Sequence, residues 1–90
     1  MERVEIGILS QAINAAVVQL PGRRFPGIVL QGDSLRNLLS YATAIIEEFE
    51  HGDSSEAIDV AKELVELLQV YVRAYESAMH NENLDLPYVK

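Results

Sequence analysis

An α+β fold is what this sequence predicts: a small antiparallel sheet of three strands packed against two helices, in ββ-β-α-α order, with the tail as an alternative fourth strand. Three observations carry that expectation. Apolar residues alternate near the start of the chain, two Pro-Gly dipeptides punctuate its first third, and helical apolar spacing then runs through most of the remainder. At 90 residues and 10.0 kDa, a single domain over 1–90 is expected, with a sheet at 3–31, one helix at 34–51, a second at 54–80 and an extended tail at 82–90.

The elements follow in order. Val4, Ile6 and Ile8 alternate with Arg3, Glu5 and Gly7, the period of a half-buried strand. Polar residues from Ser10 to Asn14 turn the chain, and Ala16, Val18 and Leu20 then form one face of a second, antiparallel strand. Pro21-Gly22 and Pro26-Gly27 each suit the central positions of a type II turn, proline presetting φ and glycine accepting φ > 0. Arg23, Arg24 and Phe25 fall on the loop between them, and Ile28 and Leu30 mark a third strand ending at Gln31-Gly32.

Helix signals begin at once. Asp33 or Ser34 is the expected N-cap, and Leu35, Leu38, Leu39, Ala42, Ile45, Ile46 and Phe49 keep i, i+3, i+4 spacing up to Gly52. Asp53 with Glu56 resembles a capping box that opens the second helix. That helix should reach about 40 Å against about 27 Å for the first, and it is apolar over a wide arc. Tyr71, Val72, Tyr75 and Met79 therefore become the expected interface of an isologous homodimer. In the tail Leu84, Leu86 and Tyr88 are apolar, while Pro87 restricts the segment to an edge strand or a docked strap.

Charge narrows the function classes. Fourteen acids against seven bases leave a net charge of −7, which argues against nucleic acid as a partner. No long apolar run suggests a membrane span, and cysteine is absent, so a cytoplasmic protein is expected. Residues 47–90 carry eleven acids and three bases, whereas 1–46 carry three acids and four bases. Glu47, Glu48 and Glu50 sit at the C-terminal end of a helix, where the macrodipole disfavours them. With Asp53 and Glu56 they form the candidate partner-binding surface, and solubility is the competing explanation.

Catalytic and metal chemistry lack parts. Gly32-Asp33-Ser34-Leu35 matches the signature of GDSL-type esterases, but the chemistry also needs a histidine base oriented by an acid. The only histidines are His51, at the far end of Ser34's own helix, and His80, which has Ser77 where that family places its acid. Helix capping explains the motif, so no enzyme activity is expected. The two histidines have only Glu47 and Glu76 at ligand spacing, so neither metal nor cofactor is expected. Arg23, Arg24 and Arg36 make a small cationic spot beside Phe25 that reads best as a solvated turn, with Phe25 folding back on the core.

The run Leu20-Pro21-Gly22, then Gln31-Gly32-Asp33-Ser34, then an amphipathic helix resembles the N-terminal domain of HicB-type antitoxins over roughly residues 3–51. The resemblance implies a non-catalytic bacterial protein that neutralises a small basic RNA-cleaving toxin by binding it. The segment Arg23 to Gln31 is longer here, and no strand separates the two helices; a C-terminal DNA-binding domain is not expected either, so promoter binding is not carried over. The same strings are also similar to a family of small bacterial proteins of unknown function. The resulting expectation is a protein-binding module, antitoxin- or immunity-like, that meets a basic partner through its acidic surface. The alternative is a structural domain that associates only with itself.

Overall fold

Ala15–Gln19 forms the central strand β2 of an antiparallel sheet, flanked by β1 (Gly7–Ser10) and β3 (Gly27–Leu30) in the order β1-β2-β3. Two helices follow, α1 (Gly32–His51) and α2 (Ser54–Asn81), so the computed structural model, which describes Met1–Lys90, has the expected α+β order. The tail adds no fourth strand. The sheet also begins later than residue 3. Gly7 pairs with Gln19, so residues before it would have to pair from Leu20 onward, where Pro21-Gly22 turns the chain away.

The strands do not keep the expected alternation: Val4 and Ile6 lie outside the sheet, and β2 buries adjacent residues. A register shift lies between Ile8 and Ser10, which pair with Val18 and Val17. Such a bulge re-aims side chains, and Leu9 packs on the core while Ile8 is left exposed. On β2 it is Val17, 2% exposed, that joins the core cluster, rather than the expected set of Ala16, Val18 and Leu20. Val18 is buried as well, so the central strand hides side chains from both faces.

Turn chemistry is upheld at one dipeptide and corrected at the other. Gly22 takes φ +75° and the Arg23 N–H donates to Leu20 O, as a type II turn requires. The Gln19 side-chain amide fastens this loop by donating to the carbonyls of Leu20 and Arg23. Gly27 has no positive φ and instead opens β3 opposite Val18. Its neighbour Pro26 is buried, and the Pro26 carbonyl accepts a 2.7 Å hydrogen bond from the Tyr75 hydroxyl.

The chain divides into two compact units, residues 1–30 with 71–90, and residues 31–70. In the first, Val17, Tyr75, Ala78 and the fully buried Met79 form the core, with Leu9 and Leu86 packed against it. The end of α2 explains how the tail returns to that core. Asn83 adopts φ 56°, Leu84 N–H donates to Met79 O and Asn83 N–H to His80 O, a Schellman ending. Tyr88 then stacks on Tyr75 at 6.5 Å between ring centroids and donates its hydroxyl to Glu76.

In the second unit α1 starts at Gly32, and its N-cap is Gln31 rather than Asp33 or Ser34. Gln31 makes no side-chain capping bond; Asp33 lies in the first turn and accepts the Ser34 N–H. α2 is capped as its sequence requires, because Asp53 Oδ1 accepts both the N–H and the hydroxyl of Ser55. The most notable property of α1 is burial. None of its 20 residues is buried, although Leu35, Leu39, Ile46 and Phe49 are all large and apolar.

Candidate functional site

The acidic candidates converge where α1 passes into α2. Glu48 is half-buried on the last turns of α1, Asp53 caps α2, and Glu56 stands in the first turn of α2. The expected capping box does not close, because the Glu56 carboxyl meets Glu48 instead of reaching back along its own helix. Hydrogen bonding to Glu48, then the charges of Glu48, Asp53 and Asp59, hold the Glu56 carboxyl above its ordinary range. Asp53 moves the other way, lowered chiefly by the Ser55 N–H and then by the Ser55 hydroxyl. Glu47 and Glu50 are exposed beside this group. Glu50 lies 3.7 Å from His51, and Glu47 borders a shallow groove with Leu39 and Thr43.

Little positive charge opposes these carboxylates. The ion pairs of the chain are His51–Glu50 and Lys90–Glu76. Arg36 and Lys62 are the only lysine or arginine residues between 31 and 70, and both are exposed. The turn therefore holds mutual repulsion that a cation would relieve.

Of the residues expected at a dimer interface, Tyr71, Tyr75 and Met79 are inside the chain's own core, and only Val72 is exposed. The overhanging helix end inferred from length is covered by the returning tail, a contact that helix-length arithmetic could not anticipate. Beside it lies a cleft of about 280 Å³ lined by Gly27, Ile28, Tyr71, Val72, Tyr75 and Tyr88. Ser34 and His51 occupy opposite ends of α1, about 25 Å apart by helix rise, so these two cannot share a proton. Glu76, at metal-ligand spacing from His80, takes the Tyr88 hydroxyl and Lys90 instead. Arg24 stacks over the half-buried Phe25 at 5.1 Å, which agrees with the solvated-turn reading of the arginines.

One exposed apolar surface escaped sequence reasoning. The apolar side chains of α1 form two seams, and a single helix face cannot hide both. Leu38, Tyr41 and Ile45 are half-buried, while Leu35, Leu39, Ile46 and Phe49 stay outside. The signal was the width of the apolar arc, noticed for α2 but equally present in α1.

No helix of the chain is long and apolar enough to cross a membrane. No curated protein and no solved structure matches the sequence. A model of one family does, and it spans residues 1–88: the chain belongs to the family of unknown function DUF6959.

Proposed function

We propose that this chain is a non-catalytic protein-binding module that meets a basic partner protein through the acidic surface at its α1–α2 turn. The observation that carries the reading is the crowding of Glu48, Asp53 and Glu56, with Glu47 and Glu50 beside them and neither lysine nor arginine paired to any. Folding alone gains nothing from this arrangement: carboxylates at the end of α1 oppose its macrodipole, and Glu48 and Glu56 oppose each other. Approach of a basic surface converts that repulsion into attraction and speeds association. The HicB-type resemblance supplies the finer form of the proposal, an antitoxin- or immunity-like protein of the bacterial cytoplasm that masks a small basic protein.

The test is titration against the product of a small basic reading frame adjoining its gene. Glu47→Lys, Glu50→Lys and Glu56→Lys together should abolish the complex while leaving the far-ultraviolet circular dichroism unchanged. Affinity should fall steeply with salt, because exposed charges act over about 8–10 Å at moderate ionic strength. A complex indifferent to both salt and these reversals would reduce the acids to a solubility device.

A further inference from the structure

We infer that β3 accepts an extended apolar segment of another protein as a fourth strand, with one large side chain of that segment seated in the cleft beside Ile28. β3 closes one side of the sheet, and its four residues pair in unbroken register with Ala15 to Val18. In such a ladder alternate residues turn their N–H and C=O groups away from the neighbouring strand. No other strand or side chain bonds to Gly27–Leu30, so the outward groups of β3 meet only solvent.

Natural sheets guard such an edge with a charge, a proline or a bulge inside the strand. The opposite edge has its irregularity between Ile8 and Ser10, but Gly27-Ile28-Val29-Leu30 has none of the three. Pro26 lies just outside with its carbonyl already taken by Tyr75, and α1 opens at Gly32. The free edge is therefore about 13 Å long at the rise of an extended chain.

The cleft lies along this edge on one face. Residues paired across an antiparallel ladder share a face, so Ile28 stands on the same side as Val17, the side that meets Tyr75 and Met79 in the core. Gly27 and Ile28 are the only sheet residues that line the cleft, and Tyr71, Val72, Tyr75 and Tyr88 form its other wall. All six belong to the unit formed by residues 1–30 and 71–90. A strand laid against β3 presents alternate side chains to that face, and the one opposite Ile28 stands beside the cleft.

Backbone and lining select the occupant. A row of outward amides and carbonyls is matched by another extended main chain, not by a helix, whose main-chain groups are already paired. No charged side chain lines the cleft or belongs to β3, so a charged residue there would lose water without gaining a partner. Area separates a peptide segment from a second copy. Ile28, Val29, Val72 and Tyr88 are between 37% and 50% exposed and together offer roughly 350 Å². A stable dimer needs roughly 800 Å² from each partner, whereas an extended segment of about four residues covers a strip of this size.

The probe is a capped, fluorophore-labelled peptide of about eight uncharged residues, leucine alternating with threonine or glutamine. Its binding to the full chain is followed by fluorescence anisotropy. Moving a single N-methyl group along its main chain should weaken binding at least roughly tenfold at every second position and hardly at all between them. Val72→Ser and Ile28→Thr should each weaken it roughly tenfold with unchanged circular dichroism, and hydrogen exchange in β3 should slow on binding. The methyl scan uses the unaltered chain, so it decides even where Ile28→Thr loosens the sheet. The seat carries no charge, so affinity should hold from low to high salt and survive Glu47→Lys, Glu50→Lys and Glu56→Lys together. That independence separates this inference from the acidic-surface proposal, on which it does not rest. Weakening by salt or by those reversals overturns strand addition at β3, as does a methyl scan without the two-residue period or a peptide that does not bind. A dimer by light scattering that Val72→Ser converts to monomer would give the edge to a second copy and overturn the peptide as its occupant.

Discussion

Residues 1–30 with 71–90 hold eight of the nine buried residues and carry five acids against five bases, whereas 31–70 hold one, Ala57, and carry nine acids against two. The first unit is organised around its own interior: a central strand, the end of α2 and a returning tail meet at Met79. The second spends its apolar residues on two helix seams and leaves one of each pair in water. Burial of apolar area is the main stabilising term, so the units differ in what they gain from folding alone. Where apolar area and unopposed charge are exposed together, the partner proposed above would supply cover that the interior does not.

Substitutions that compare the units test this contrast most directly. Met79→Ala should lower unfolding free energy by about 2–5 kcal/mol, whereas Leu39→Ala in the second unit should cost less than about 1 kcal/mol. Urea denaturation of the two variants checks the pair, and equal costs would break the comparison. A smaller loss, about 1–3 kcal/mol, is expected for Tyr75→Phe, which leaves the Pro26 carbonyl without its hydroxyl donor. Hydrogen exchange should then quicken at β3 before it does in α1.

Two substitutions at the α1–α2 turn sharpen the contrast within the charged unit. Asp53→Ala removes the α2 cap and should lower the melting temperature by roughly a few degrees. The Asp53 carboxyl is held below its ordinary value, so its stabilising effect is present above the unfolded pKa. It fades as pH falls through the folded value, and the difference from wild type should narrow in acid. Glu56→Gln should have the smallest effect and the opposite sign. The Glu56 carboxyl is held above its ordinary 4.5, so its ionised form weakens the fold at neutral pH, and that penalty disappears as pH falls through the raised value toward 4.5. The variant should therefore melt slightly higher at pH 7 and like wild type near pH 4; a lower melting point at pH 7 would remove the repulsion from the account.

Much of this was legible in the residues. The 3–4 spacing from Leu35 to Phe49 located α1, Gly22 marked its turn, and Asp53 marked the α2 cap. The acids Glu48, Asp53 and Glu56 lie within nine positions around one helix connection, and that nearness alone brings their charges together. What misled was alternation. Val4, Ile6 and Ile8 alternate, but Val4 and Ile6 fall outside the sheet, and past the irregularity after Ile8 it is Leu9 that packs on the core. Asp33-Ser34 offered two good capping residues, yet the helix began at Gly32 and left them in its first turn. Pro26-Gly27 carried a turn composition that Tyr75 overrode by binding the Pro26 carbonyl from 49 residues away.

By itself the sequence determined the kinds and order of the elements, the position of the acidic turn and the excess of apolar helix surface. Each depends on spacing or composition over a few residues, which local sterics and solvation read directly. Only the tertiary structure decided which of those apolar residues are used. Tyr71, Tyr75 and Met79 went to the interior because the chain reverses at Asn83 and lays Leu86 on the Val17 cluster. Leu39 and Phe49, equally apolar and equally well spaced, stayed in water. Periodicity specifies a face, but whether that face is covered depends on chain segments distant in sequence, and their return is settled by the balance of burial against chain entropy over the whole fold.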